Sequence, residues 1–343
     1  MAGWWRKHVP INDEAIRHFT SEPVPYHLRR WWWCLGGTPA YLFLVMATTG
    51  ILLTFYYVPR PPDAYYSVQR ITQEIPFGWF IRSVHRWAAN LMIVTVILHM
   101  MRVYFTGAYR CPRELNWMVG TGLLATTLIF GFTGYSLIYE QLSYWGVTVA
   151  ANLTEHVPVL GEWLARFLRG GTQVGPTTWT RLYVLHIGVL PTLMTILLLL
   201  HFTFIRLHGV TPYRFPDEPE GKTYPFFPDH FLTEMAIGVF LMFLLTCLAI
   251  IFPARLGPMA DPLVTPEHIK PEWYFYFTFR LLKLMGLTWA VLTLGFLFFV
   301  CLLWPFIDAA IRKYWPESEL SVYVGVVAVV ALCGLTVWEA VAG

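Results

Sequence analysis

Charge is scarce in this chain. Only 13% of its 343 residues are Asp, Glu, Lys or Arg, while 56% are hydrophobic and the aromatics include 16 Trp, 18 Tyr and 25 Phe. So little charge beside so many aromatics excludes a large soluble core and implies an integral membrane protein. Cysteine is sparse too: Cys34, Cys111, Cys247, Cys301 and Cys333 are scattered, with no CxxC or CxxCH. That excludes a cysteine zinc site and the usual two-cysteine haem attachment, and buried cysteines of this kind are ordinarily inert small hydrophobes. No apolar h-region opens the chain, so no cleavable signal peptide is expected. The mixed stretch MAGWWRKHVPINDEAIRHF is instead expected along the membrane interface. A net charge of +3 gives no reason to expect a nucleic-acid partner.

What the chain has is long apolar runs. Seven candidate spans cover roughly 32–56, 77–104, 115–138, 178–206, 230–252, 288–310 and 320–341, each long enough to cross a bilayer. The pattern predicts an all-α integral membrane protein with seven transmembrane helices. Placing the N-terminus inside puts thirteen of the 24 Lys and Arg residues on that side, a weak positive-inside bias.

Two of the runs carry paired histidines. Phe77 to Arg102 holds His85 and His99, fourteen apart; Arg181 to Arg206 holds His186 and His201, fifteen apart. Fourteen residues is nearly four helical turns, so the two imidazoles leave one side of a helix about 21 Å apart. A single histidine in a span is usually a satisfied polar residue facing its neighbours. Two pairs at near-equal spacing, on helices running in the same direction, place His85 opposite His186 and His99 opposite His201. Polar groups at membrane depth tend to be functional. Bis-histidine ligation saturates haem iron and favours electron transfer over oxygen chemistry, whereas two ligands per level are too few for zinc.

The glycines share that spacing. Gly36 and Gly50 in the first span are fourteen apart, as are Gly120 and Gly134 in the third. Close helix packing is their ordinary reading. At this spacing they also leave room for two planar macrocycles, so a four-helix bundle holding two stacked b haems is expected. Arg82 precedes His85 by three residues and Arg102 follows His99 by three. Each is placed to clamp a haem propionate bidentately, or to snorkel to the interface.

Two long connections lie on the outer side. The first carries amphipathic helical pieces around 143–152 and 158–169, able to lie in the interface or to roof a pocket. The second centres on Pro271-Glu272-Trp273-Tyr274. The proline is expected to start a helix, with Glu272 in its first turn. Glu272 is then either a capping acid or a proton acceptor for a quinol beside the outer haem.

The segments VPYHLRRWWWCLGG, FGWFIRSVHRW, LHMMRVYFTG, PRELNWMVG, FGFTGYSL, TRLYVLH and PEWYFYF resemble cytochrome b of quinol-oxidising cytochrome bc complexes, in the form of cytochrome b6 fused to subunit IV. The resemblance covers nearly the whole chain. Histidine separations of fourteen and fifteen resemble the b6 branch; the mitochondrial branch has fourteen in both. One continuous chain resembles a bacterial relative, multi-pass in the inner membrane. The implied division is a haem-binding bundle over 1–210, a connecting loop over 211–229 and a three-helix part over 230–343.

The resemblance implies a function. Quinol is oxidised at an outer site. One electron goes to a Rieske iron–sulfur protein, and from there to a cytochrome c-like subunit. The other crosses through the haem of His85 and His186, then that of His99 and His201, to an inner quinone site. Protons leave outside and enter inside, and the complex is a homodimer. Glu272 is implied as proton acceptor, with Tyr274, Tyr135, Gly146 and Trp145 lining its pocket. In the b6 branch the cysteine of a similar YCLGG stretch holds a third haem by one thioether bond. Cys34 in WCLGG implies the same covalent, c-type haem here, with Arg206 matching a basic residue near it. Glu234 falls about where mitochondrial relatives carry an inner-site aspartate, implying a proton donor. One stretch departs from the family. Leu137-Ile138-Tyr139-Glu140-Gln141 stands where the family has Leu-Pro-Trp-(Asp or Gly)-Gln, which is expected to reshape the outer pocket.

Two other readings remain open on the residues. A diheme membrane anchor of a quinone-linked dehydrogenase explains the histidines but not PEWY. A transporter relaying protons through its histidines lacks the haem absorption that separates it from both.

Overall fold

The computed structural model describes residues 21–213, 215–219 and 221–342. The N-terminal stretch expected along the interface lies outside the described residues, as does Arg214. The chain is an all-α membrane protein, relieved only by two three-residue strands. In order the elements are β1 (Pro23–Pro25), α1 (Gly37–Thr54), α2 (Asp63–Gln73), α3 (Gly78–Phe105), α4 (Glu114–Ser136), α5 (Gln141–Glu155), α6 (Gly161–Arg169), α7 (Pro176–His208), β2 (Thr223–Pro225), α8 (Phe231–Ile251), α9 (Tyr276–Met285), α10 (Leu287–Leu302), α11 (Trp304–Tyr314) and α12 (Leu320–Val341).

Among the described residues six helices are long and apolar enough to cross a membrane: α1, α3, α4, α7, α8 with its preceding turn, and α12. The seventh expected span, 288–310, is broken. Helices α10 and α11 meet at a 64° bend. Pro305 lies in the first turn of α11, where it fits the start of a new helix and could not continue the old one. The run is therefore a bent pair, apolar α10 followed by amphipathic α11. The first span begins at Gly37, because Tyr26–Arg29 and Trp31–Trp33 form two short 3₁₀ turns before it.

Helix α7 hides a second irregularity. Residues Leu185–Val189 form a π-helical turn inside it. Such a turn takes one residue more than α-helix for nearly the same rotation. It absorbs the extra residue of the fifteen-residue spacing, so His186 and His201 face the same side much as His85 and His99 do.

Helices α1, α3, α4 and α7 form the bundle, with α8 packed against α1 and α3. Its centre is a plug of Leu42, Ala88, Met92, Met194 and Leu245, flanked by Leu123 and Phe130. Leu42, Met92 and Met194 lie about midway between the two glycines or histidines of their helices, and α4 adds Leu123 and Phe130 from between Gly120 and Gly134. Van der Waals packing holds this middle layer, since lipid is as apolar as the side chains it would replace, and the two ends are left for polar groups.

The C-terminal helices attach at the end of the bundle that carries His99. Tyr109, Trp117 and Trp304 are buried together there. Asp308, 1% exposed, accepts from Arg110 Nε at 2.8 Å and from Arg312 Nε at 3.2 Å, and also bonds Ser321. Strand β1 pairs antiparallel with β2, Val24 opposite Tyr224. This small ribbon ties the segment before α1 to the turn that begins α8.

Candidate functional site

The four histidines meet in two pairs. The His85 and His186 ring centroids are 6.4 Å apart, and those of His99 and His201 are also 6.4 Å apart. A ring nitrogen binds a first-row metal at about 2.0–2.1 Å and lies about 1.2 Å from its ring centre, so two rings on opposite sides of one metal have centroids about 6.3–6.6 Å apart. Each gap is the width of one coordinated metal.

Each histidine faces a glycine. A Cβ on Gly50 would lie 3.3 Å from His85 Cε1, and one on Gly134 only 2.8 Å from His186 Cε1. At the other level a Cβ on Gly36 would lie 3.5 Å from His99 Cε1, and one on Gly120 3.7 Å from His201 Cε1. The four glycines expected at cofactor depth therefore sit directly on the imidazoles.

The outer imidazoles are held by hydroxyls. Thr49 Oγ1 lies 2.9 Å from His85 Nδ1 and gives its own proton to the Val45 carbonyl at 2.7 Å. Thr133 Oγ1 lies 2.9 Å from His186 Nδ1 and donates to the Ile129 carbonyl at 2.9 Å. A hydroxyl already donating to a carbonyl accepts from the imidazole, so Nδ1 carries the hydrogen and Nε2 keeps its lone pair for a metal. At the inner level His99 Nδ1 and His201 Nδ1 are buried without a well-formed hydrogen bond, although the Asn116 carbonyl lies near His201. These are the features of a bis-histidine haem site: a metal-wide gap, free Nε2 atoms and helix backbones stripped to glycine.

The arginines divide. Arg82 is 8% exposed and donates to the carbonyls of Ala254 at 2.8 Å and Arg255 at 3.0 Å, and to Thr72 Oγ1 at 3.2 Å. Its guanidinium thus ties α3 to the loop after α8, and fewer than half of its five N–H groups remain for a propionate. Arg102 donates weakly to the Trp33 carbonyl at 3.5 Å and lies over the Trp33 ring, and its Nε is buried without a partner. Arg206 pairs with Glu22.

Near the outer pair, Glu272 is extended, with φ −62° and ψ 150°. The expected helix does not start at Pro271. Trp273–Phe275 is a 3₁₀ turn and α9 begins at Tyr276, so Glu272 precedes the helical residues instead of lying among them. Its carboxylate is 3.8 Å from Arg86. Burial pushes its pKa above the usual carboxylate range; Arg86 opposes that and Glu140 adds to it. It lines a cleft of about 450 Å³ with Arg86, Trp87, Asn90, Phe252 and Arg255. Tyr135, Tyr274, Gly146 and Trp145 do not line this cleft. Tyr274 is buried, its hydroxyl 2.8 Å from where a Cβ on Gly131 would stand. Tyr135 lies against Gly146 and within electrostatic reach of Glu272. The Trp145 indole N–H donates to the Val264 carbonyl at 3.1 Å.

The stretch that departs from the family is stitched to this loop. Tyr139 has φ +58°, and its carbonyl accepts from Ala260 N at 3.2 Å. Its ring meets buried Trp179 edge-on at 4.8 Å. Glu140 caps α5 and accepts from Gly257 N at 2.7 Å.

At the inner level, Cys34 is 3% exposed and its thiol donates to the Leu28 carbonyl at 3.3 Å. Burial, and then the charge of Glu234, pushes its pKa up to about 12. His230 and Glu234 bring ligand atoms within 4.8 Å of its sulfur. Glu234's carboxylate lies against Gly37, where a Cβ would collide with it. His27, 1% exposed, packs edge-on against Trp33 at 5.3 Å with Nε2 unpartnered. A reduced thiol beside two orphaned buried donors, His27 Nε2 and Arg102 Nε, is a donor set that fits a carboxylate-bearing haem held at Cys34.

Sequence reasoning missed Thr49, Thr133, Gly37, Gly131, His27 and Trp179. One signal was there to find: a threonine directly precedes Gly50 and Gly134, whereas Leu35 and Val119 precede Gly36 and Gly120.

Two metal-wide histidine gaps stacked in one apolar bundle fit a membrane protein of electron transport. The family model described as Cytochrome b/b6/petB matches residues 19–209, and that described as Cytochrome b(C-terminal)/b6/petD matches 259–341. A cytochrome bc complex cytochrome b subunit from Chlorobaculum thiosulfatiphilum is 38% identical over 315 residues, covering 90% of this chain and 73% of the relative. Cytochrome b6 from Synechococcus sp. (strain CC9311) is 42% identical over 208 residues, 61% of this chain and 94% of that one. The chain belongs to the cytochrome b/b6 family, whose members carry b-type haems. The fold is also that of a solved chain from a hyperthermophilic respiratory Complex III, with TM-score 0.80 over 99% of this chain and 98% of that one, at 23% identity.

Proposed function

We propose that the chain is the cytochrome b subunit of a bacterial inner-membrane quinol-oxidising complex with a Rieske protein and a cytochrome c-like subunit. In this reading the complex is a homodimer. The haem bundle spans 1–210, the connecting loop 211–229 and the C-terminal part, with PEWY, 230–343. The observation that carries the reading is the half-buried carboxylate of Glu272, facing Arg86 in a cleft beside the level of His85 and His186. A bundle that merely conducts electrons needs no base at one end.

His85 with His186, and His99 with His201, would each hold one b haem through Nε2; bound haem iron supplies one-electron transfer across the membrane. The chain's own residues supply the rest. Glu272 takes a quinol hydroxyl proton at its carboxylate oxygen. Its raised pKa brings it nearer to neutral pH, where a general base works best. Arg86 keeps enough of it ionised to act. Tyr274 and Tyr135 lie within electrostatic reach of Glu272 from outside the cleft. At the inner level Cys34 would hold a covalent haem by one thioether bond, with Arg102 and Arg206 as its basic neighbours and Glu234 as proton donor to a quinone.

A haem count tests the reading. The purified complex should give two extractable haems and one covalent haem per chain, co-purify a Rieske protein, and lose quinol oxidation to stigmatellin-type inhibitors. Two extractable haems with no Rieske protein and no inhibition would leave a diheme anchor instead.

A further inference from the structure

The Cys34 thiol is badly placed to react unaided. It is enclosed, and neither its burial nor the neighbouring carboxylate favours a thiolate. A thioether forms only if the sulfur loses its proton while the partner carbon gains one. The groups that touch the sulfur decide whether that can happen.

Those groups form a chain. The Tyr224 hydroxyl lies 2.8 Å from His230 Nδ1. His230 Nε2 lies 3.6 Å from Glu234 Oε1, one helical turn on. Glu234's carboxylate lies within 4.8 Å of the Cys34 sulfur and rests on Gly37. The β1–β2 ribbon helps set this up, because it brings Tyr224 and the start of α8 against the segment that carries Cys34. Gly37 is required as well, since any side chain there would push the carboxylate off the thiol.

We propose that Glu234, oriented by His230 and Tyr224, is the acid–base residue for attachment of haem at Cys34. In the step, the Cys34 S–H bond breaks and its proton passes to a Glu234 oxygen. Sulfur bonds to the inner carbon of a haem vinyl group, and the terminal vinyl carbon takes a proton back from Glu234. Thiol plus alkene gives thioether with no oxidant or reductant. Glu234 ends as it began. His230 holds the carboxylate on the sulfur through the exchange, and Tyr224 sets its ring.

The proposal rests on Cys34 carrying a covalent haem, and the experiment separates the two. The purified complex is run on a denaturing gel stained for haem, and extractable b haem is counted by pyridine haemochrome. Wild type should stain on this band and Cys34→Ala should not, both with two extractable haems; an unstained wild-type band overturns both ideas. Glu234→Gln should keep two extractable haems and lose about tenfold or more of the covalent haem, and Glu234→Asp should restore most of it. A Glu234→Gln band stained like wild type, beside an unstained Cys34→Ala band, overturns the acid–base role alone. If Glu234→Gln fails to assemble, His230→Asn decides by the same stain. A several-fold deficit with both b haems present supports the role, and full staining overturns it.

Discussion

The outer and inner histidine levels share their ligand type, their spacing and their glycines, yet they hold the imidazoles differently. At the outer level both Nδ1 atoms meet threonine hydroxyls at 2.9 Å. At the inner level both Nδ1 atoms are buried without a well-formed hydrogen bond. An oriented imidazole with a satisfied Nδ1–H is more basic at Nε2 and has one ring position. The outer pair is therefore preset, while the inner pair is left to be tuned by what binds beside it. Their surroundings follow the same division. The outer level has the half-buried carboxylate of Glu272 facing Arg86, with Glu140 nearby, whereas the inner level has a thiol, a carboxylate and two orphaned cationic or imidazole donors.

The largest effect should come from removing a ligand. His186→Leu and His201→Leu should each lower extractable haem from two to one per chain. Only the first should also abolish electron transfer out of the Glu272 site, as followed by haem reduction after quinol addition. Equal behaviour of the two variants would erase the functional difference between the levels.

Next come the glycines. Gly134→Ala forces a methyl to 2.8 Å from His186, while Gly120→Ala meets His201 at an ordinary 3.7 Å. Overpacking of this kind costs about 1–3 kcal/mol. The expected result is loss of the outer haem in the first variant and two retained haems in the second, read as haem per chain.

Smaller still is the hydroxyl. Thr49→Val or Thr133→Val removes an acceptor worth about 1 kcal/mol. A less basic imidazole stabilises ferric iron less, so the outer midpoint potential should rise by a few tens of mV, at about 59 mV per tenfold change for one electron. The inner potential should stay fixed in the same redox titration.

The smallest expected effect is on pH. Arg86 lowers the Glu272 pKa against burial, so Arg86→Ala should raise it. The base must be ionised to accept a proton. The acid limb of the quinol-oxidation profile should therefore move to higher pH, and activity at low pH should fall while the alkaline side holds. An acid limb that stays in place would remove Arg86 from the site.

The ends of the bundle were legible in the sequence because spacing carries them. Histidines and glycines fourteen or fifteen apart state depth and facing directly through helical periodicity. The threonines were legible as well, written immediately before the outer glycines, but a hydroxyl in a membrane helix is so often bonded to its own backbone that it drew no notice. The Cys34 neighbourhood was not readable in the same way. His230 and Glu234 lie almost 200 residues further on. They arrive through three-residue strands rich in proline, too short to show a period. The bend between α10 and α11 was hidden because Trp304 and Pro305 sit inside a run whose mean hydropathy looks continuous. Glu272 was placed beside the right level but inside a helix, since proline favours a first turn and nothing local showed that the backbone there stays extended.

The π turn in α7 bears on how such chains drift. A single codon gained between His186 and His201 would rotate one imidazole by about 100° in an unbroken α-helix and cost its site a ligand. A wider turn takes up the insertion, and the later deletion of any one residue nearby could be repaid by closing it. Spacings of fourteen and fifteen are then interchangeable solutions. An alignment that charges a gap between them records a neutral change in length, and a lineage can cross between the two forms without passing through a chain that has lost a ligand.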